Sequence, residues 1–286
     1  MIKYSFSGHE TFHCRNYWLK KGLDHIWSNG QFNNDAIISL GVGKNMVAAI
    51  RFWLRSFSLL DENDSPNQLA RSLFKDNGYD PFCEDIGTIW LLHYQYATNA
   101  KSTTTHFVFN EFRKQRVEFH REQLLDFLER KCKEENINYH VNSVKKDIGV
   151  FLNNYTTPLK SKGIEEDYSG LLYELDLVQK LEKYDKNTWY KIENKSREGL
   201  PPEVLLFCIL VNEKYSNSIN FNELLNDNGS VGSVFALSSN GLMQKIEQLI
   251  KSYPKDIVFT DDGGIRVLQF VNELNPWEVL NHYYGR

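Results

Sequence analysis

Five residues carry the chemistry that attack on a phosphodiester or an amide requires: His9, Glu10, Glu84, Asp85 and His93. His9, Glu10 and His13 satisfy the pattern in which two imidazoles one helical turn apart bind Zn²⁺ while the intervening carboxylate activates water. The competing reading is a polar turn, because Gly8 directly precedes the motif, with Glu10 or Thr11 near the start of a helix from Asn16 to Trp27. Glu84 and Asp85 form a carboxylate pair suited to holding Mg²⁺ or Mn²⁺ for attack on phosphorus, and His93 is placed for proton transfer. The same acidic pair also suits a helix N-terminus, where the macrodipole favours negative charge. His93 lies beside Trp90 and Leu92 on an apolar segment, a setting that equally suits a hydrogen-bonded core histidine.

A second group carries positive charge. Asp35 to Leu40 reads as a short helix, Gly41 to Gly43 as a tight turn, and an amphipathic period begins at Lys44. Met46, Ile50, Trp53, Leu54 and Phe57 share one stripe; Lys44, Ala48, Arg51 and Arg55 share another, with no acid until Asp61. A short helix, a Gly turn and a helix with a basic outer face is how a helix-turn-helix sets a helix against DNA phosphates. Arg15, Lys44, Asn45, Arg51 and Arg55 are therefore expected at DNA, joined by Lys145 and Lys146 on a later helix, with Lys160 and Lys162 beyond it. Asp147, Glu165 and Glu166 lie close enough in sequence that an ordinary solvated face is the alternative there. Gly41-Val42-Gly43-Lys44 is no phosphate loop: Ile38 stands where the first Gly belongs, and Asn45 where Ser or Thr would hold Mg²⁺. Gly41 and Gly43 instead permit a positive-φ turn or a close backbone approach to phosphate.

The elements that must position these groups fall into three expected units. With 286 residues the chain is long enough for more than one domain, and at 41% hydrophobic it can bury a core. Its 33 basic and 37 acidic residues leave a net charge of -4, so nucleic acid must be met by a local face, not by the global field. The offsets of Met46 through Phe57 recur at Val144, Ile148, Phe151, Leu152 and Tyr155, and again at Leu242, Ile246, Leu249, Ile250 and Tyr253. Arg121 to Glu135 reads as the helix before the middle repeat, with Asn142 or Ser143 as N-cap of the next. Strands follow over Leu177 to Lys183 and Thr188 to Glu193 around an Asp185-Lys186-Asn187 turn. In the last unit a helix runs from Pro201 and Pro202 through Tyr215, then come Phe221 to Leu225 and Leu242 to Tyr253. Strands Asp256 to Thr260 and Ile265 to Phe270 flank the turn Asp261-Asp262-Gly263-Gly264.

The expected fold is thus mainly α with small β-hairpins, built of tandem winged-helix-like (helix-turn-helix) units over 1–110, 111–199 and 200–286. Cys14, Cys83, Cys132 and Cys208 lack zinc-finger spacing and suit a reducing compartment. Met1 to Phe12 lacks the apolar core of a signal peptide, and the apolar run from Val204 to Val211 is too short for a bilayer, so a cytoplasmic protein is expected.

Gly8-His9-Glu10-Thr11-Phe12, Arg15, Trp18-Leu19-Lys20-Lys21, the segment Leu40 to Val47, and Asp80 with the run Glu84 to Tyr94 resemble the signature of a bacterial domain-of-unknown-function family. That family is found beside DNA sulfur-modification (phosphorothioation) genes and includes the SspB-type component of a single-strand phosphorothioation defence system, regarded as a DNA nickase. The resemblance is densest in the N-terminal unit. The family pattern carries another residue type where His13 stands here, which weakens the zinc reading. The resemblance implies anti-phage defence, with a P-loop ATPase and a sulfurtransferase as partners besides DNA; a homodimer is compatible with it. For a nickase, Glu10, Glu84 and Asp85 are expected in metal or base roles, His9 and His93 in proton transfer, and Arg15 and Lys44 on phosphate. The alternative is a non-catalytic DNA-binding adaptor or transcriptional regulator, which needs none of the catalytic set; a zinc metalloprotease is the minor alternative.

Overall fold

The computed structural model describes residues 4–157, 170–183 and 186–285; Lys160, Lys162, Glu165, Glu166 and Asp185 lie outside them. The chain divides into two compact units, Met1–Val108 with Phe112–Ile192, and Phe109–Glu111 with Glu193–Arg286. About half of it is helical, with two small antiparallel three-stranded sheets. None of the described helices is long and apolar enough to cross a membrane.

The first unit runs α1 (Trp18–Trp27), α2 (Ala36–Leu40), α3 (Lys44–Ser56), α4 (Gln68–Phe74), α5 (Ile86–Thr98), α6 (Thr103–Phe107), α7 (Arg113–Gln115), β1 (Glu118–His120), α8 (Arg121–Glu134), α9 (Val141–Tyr155), β2 (Gln179–Leu181) and β3 (Trp189–Lys191). α5 is apolar on nearly every side and accordingly buried, from Gly87 through Tyr94 and again at Tyr96 and Ala97. α1 crosses α3 at Gly22, where a methyl group would sit 2.6 Å from Ile50 Cγ2; a side chain there would force the two helices apart. The sheet order is β1-β3-β2, and Phe119 of β1 pairs with Tyr190 of β3, both rings buried.

The second unit contains α10 (Pro202–Leu210), β4 (Ser218–Asn220), α11 (Phe221–Asn226), α12 (Val231–Val234), α13 (Ser239–Ser252), β5 (Ile257–Asp262), β6 (Ile265–Phe270) and α14 (Pro276–Tyr283). Its sheet order, β4-β6-β5, reproduces that of the first unit, with the strand before the helices paired to the last strand. The turn between β5 and β6 is Gly263-Gly264, with φ of 58° and 85°. Two consecutive positive φ angles match the right-handed twist of the flanking strands and favour glycine at both places. Asp261 and Asp262 belong to β5, so the connection is shorter than the four-residue turn expected from the sequence.

Several expected boundaries shift. Each expected hairpin gains a third strand, three residues long, ahead of its helices. α9 begins at Val141 with His140 as its N-cap, before Asn142 and Ser143. α10 stops at Leu210 instead of reaching Tyr215, because Asn212 turns the chain: its side-chain oxygen accepts the Lys214 N–H at 3.2 Å.

Candidate functional site

The α2–α3 turn is built by Gly41. Its φ of 58° lets the Gly41 N–H reach Ile38 O at 3.2 Å and the Val42 N–H reach Ile37 O at 3.3 Å, the paired bonds that close a helix C-terminus. Gly43 is extended, with φ of -65°, and caps α3 without a side-chain oxygen. Of the two glycines, then, only Gly41 uses the positive φ. The chain is thereby redirected so that α3 buries Val47, Ala49, Ile50, Trp53 and Leu54. Met46 is only half-buried, because the inward stripe is centred one residue further along. Lys44 and Asn45 are exposed at the start of the helix, and Arg51 and Arg55 follow on the outer face.

That face borders a cleft of about 900 Å³. Lys44, Arg51, Arg55 and Lys101 supply its cations; Glu10, Asp61 and Glu62 supply its acids. Arg51 and Arg55 both grip Asp64. Arg55 places Nε 2.5 Å from Asp64 Oδ1 and Nη2 2.7 Å from Oδ2; Arg51 places Nε 3.1 Å from Oδ2, with its Nη2 on the same oxygen. Burial alone would push the Asp64 carboxyl up, but the hydrogen bonds and charges of Arg55 and Arg51 outweigh it and hold it below the usual carboxylate range. The two arginine side chains stay about 40% exposed. Arg15 is half-buried, its guanidinium 5.4 Å from the centre of the Trp18 ring.

The His9 motif is a turn. Glu10 and Thr11 have φ of 49° and 68°, so His9 and His13 do not share a helical face and the zinc-protease geometry is not formed. Gly8, at φ 111°, presses on the Phe52 ring, where a methyl group would come within 2.7 Å. His9 is buried, its ring edge-on to Phe52. Its Nδ1 accepts the Thr11 N–H at 3.0 Å, which leaves the proton on Nε2. That nitrogen lies 3.0 Å from Asp147 Oδ1 on α9 without forming a hydrogen bond to it. Asp147 in turn bears on Tyr96, whose hydroxyl is pushed far up, first by burial and next by that carboxylate. The turn thus ties α3 to α9 and leaves Glu10 exposed at the cleft.

The acidic pair is arranged for capping. Asp80 is buried and accepts the Glu84 and Asp85 N–H groups, each at 2.9 Å. Asp85 is the N-cap of α5 and accepts the Gly87 N–H at 2.7 Å. Glu84 is exposed, and neither Glu84 nor Asp85 lines the cleft that Glu10 borders. His93 is fully buried, with Nδ1 2.8 Å from the Tyr155 hydroxyl. Glu10, Glu84, Asp85, His9 and His93 therefore do not converge on one cleft. Among the described residues no three His, Cys, Asp or Glu side chains gather as a metal site. With both Asp80 oxygens and Asp85 Oδ1 occupied by backbone N–H groups, the pair does not fit a preassembled site for a hard divalent cation, which wants about six oxygens.

Lys145 and Lys146 are exposed on the first turns of α9. Asp147 beside them, which suggested a neutralised face from the sequence, is half-buried and turned toward His9. Sequence reasoning assigned no role to Asp64 or Lys101. The readable signal for Asp64 was a polar loop, Asp61 to Ser65, directly after the basic helix. All four cysteines are buried thiols.

The family model described as "Protein of unknown function (DUF4007)" matches residues 6–284. Two similar solved structures are an SspB crystal structure, with a TM-score of 0.85, and a magnesium ion-bound SspB crystal structure, with a TM-score of 0.87. Each is 26% identical in sequence, over 99% of this chain and 89% of that one. No curated protein matches the sequence.

Proposed function

This chain belongs to the DUF4007 family, and from that premise we propose that it is a DNA-binding component of bacterial DNA phosphorothioation defence against phage. The observation that carries the reading is the outer face of α3, where Lys44, Arg51 and Arg55 border a cleft on a chain whose net charge is negative. Cations concentrated on one helix face of an acidic protein provide a local footprint for phosphates. Lys145 and Lys146, exposed on α9 of the same unit, are further cations for phosphate, with Asn45 and Arg15 as polar and cationic contacts. We read the two regions of matching strand order as winged helices, since the strand before the helices pairs beside the closing hairpin in both. The similarity to SspB supports the defence context; a cytoplasmic site of action, and a P-loop ATPase and a sulfurtransferase as partners, are part of the proposal and follow from the family resemblance.

A salt titration of duplex-DNA affinity tests this. Log affinity should fall linearly with log salt, by about 0.9 for each phosphate neutralised. Substituting Lys44, Arg51 and Arg55 by Ala should flatten that slope. Affinity that ignores both salt and the triple substitution would remove the reading.

The magnesium ion-bound SspB structure favours a second reading, a metal-dependent strand nickase, with Glu10, the exposed carboxylate at the cleft, in a metal or base role and with Glu84, Asp85, His9 and His93 outside that cleft. Incubating supercoiled plasmid with the chain and Mg²⁺ or Mn²⁺ decides it. Open-circular product lost in Glu10→Gln supports nicking; plasmid that stays supercoiled alongside intact DNA binding leaves the adaptor.

A further inference from the structure

Asp64 occupies the place a phosphate would take. Arginine forks recognise carboxylate and phosphate with the same paired N–H geometry, so two guanidinium groups converging on one carboxylate resemble two converging on one phosphodiester. The loop that presents Asp64 is built for the task. It is closed by the Leu60–Pro66 bridge and braced by Asp61, whose Oδ1 accepts the Asn63 and Ser65 N–H groups at 2.8 and 2.9 Å. Asp64 itself holds a left-handed backbone with φ of 62°, aimed back at α3. The guanidinium groups remain reachable, since both side chains are about 40% exposed and line the cleft.

We propose that Asp64 is a built-in competitor for the nucleic-acid backbone: it holds Arg51 and Arg55 while the cleft is empty and yields them to a phosphate when a polyanion docks. The inference rests on the DNA-binding reading and deepens it. The Asp64 loop sets a threshold. A lone phosphate must displace a carboxylate already gripped by two arginines, whereas a strand that also engages Lys44 and the α9 lysines gains enough contacts to do so. The competitor suppresses weak, single-contact binding and leaves multi-contact binding possible.

The test compares the native chain with D64N and D64G in a salt titration of duplex-DNA affinity, each checked for folding by thermal melting. Both replacements accept the left-handed backbone, so one remains if the other fails to fold. Release of the arginines should tighten binding about five- to tenfold at moderate salt and leave the log–log slope unchanged, because the same phosphates are neutralised in both complexes. Adding Arg51→Ala and Arg55→Ala to D64N should abolish the gain. Equal or weaker binding by a folded D64N or D64G would overturn the proposal and make Asp64 a plain brace for its loop. If neither the native chain nor the variants bind DNA, the DNA reading falls by itself, and heparin chromatography then decides the competitor. Later elution of D64N than of the native chain upholds it for polyanions in general; coincident elution sinks it.

Discussion

The β1–α8–α9–β2–β3 region and the β4–α11–α12–α13–β5–β6 region share one strand order and differ in the charge they display. On α9, Lys145 and Lys146 face solvent while the neighbouring Asp147 is drawn inward to His9. On α13 the positions that match Lys145 and Lys146 are Met243 and Gln244, and the lysine that follows, Lys245, is lost to the fold: it is buried, its ammonium 3.3 Å from Glu198 O, and burial pulls its pKa down. What remains outside on α13 includes Gln244, Glu247 and Gln248, and the hairpin beyond it carries Asp261 and Asp262. Topology sets where a helix and a hairpin sit; the side chains left exposed decide whether phosphates are welcome. By this comparison the proposed nucleic-acid contact falls on the first unit, and the second unit's hairpin with Asp261 and Asp262 offers phosphates less.

The largest effect should come from reversing this charge pattern. Lys145→Glu with Lys146→Glu should weaken duplex-DNA affinity roughly tenfold or more, since each lost phosphate contact also removes counterion release. Lys251→Glu on α13 should leave affinity nearly unchanged in the same titration. Equal losses from the two helices would erase the distinction.

A smaller contrast lies in the glycines of the two helices. A methyl group at Gly241 of α13 would meet the Ser196 backbone at 2.6 Å, whereas one at Gly149 of α9 meets only the Arg121 guanidinium, at 3.9 Å. Gly241→Ala should therefore destabilise by about 1–3 kcal/mol through overpacking. Gly149→Ala should stabilise by about 0.5–1 kcal/mol by restricting the unfolded chain within a helix. Urea unfolding of each variant checks both signs.

The smallest effect concerns acid. The arginines hold the Asp64 pKa down, so its contribution to stability is fully present above the ordinary carboxylate value and is lost as pH falls through the lower folded value. Asp64→Asn should flatten that acidic part of the stability curve and leave the neutral part without pH dependence from this site. A melting curve with the same acid dependence in the variant would assign the effect to other carboxylates.

The reach of the sequence can be judged residue by residue. The α2–Gly41–α3 turn was legible because glycine at a helix end and a change of apolar phase are local signals. The β5–β6 turn was legible from Gly263-Gly264 for the same reason. β1 and β4 were not: three residues such as Glu118-Phe119-His120 carry too little alternation, and they are strands only because β3 and β6 lie alongside. The basic stripe of α3 was visible, but its partner was not, since Asp64 meets Arg51 and Arg55 only once the loop from Asp61 folds back. The His9 motif was legible as a turn from Gly8 just ahead of it. Its spacing also fits a helix, but Gly8 and the left-handed Glu10 and Thr11 make a turn that docks on Phe52 and Asp147. Glu84 and Asp85 suited either a metal or a helix cap, and the hydrogen bonds from Gly87 and to Asp80 favour the cap.

The most direct test is amide hydrogen exchange on the full chain, with and without duplex DNA at low salt. Protection should rise across the start of α3, the 61–65 loop and the first turns of α9, and stay level across α13 and the β5–β6 hairpin. Protection confined to α13 and that hairpin, with α3 and α9 unchanged, would contradict the account.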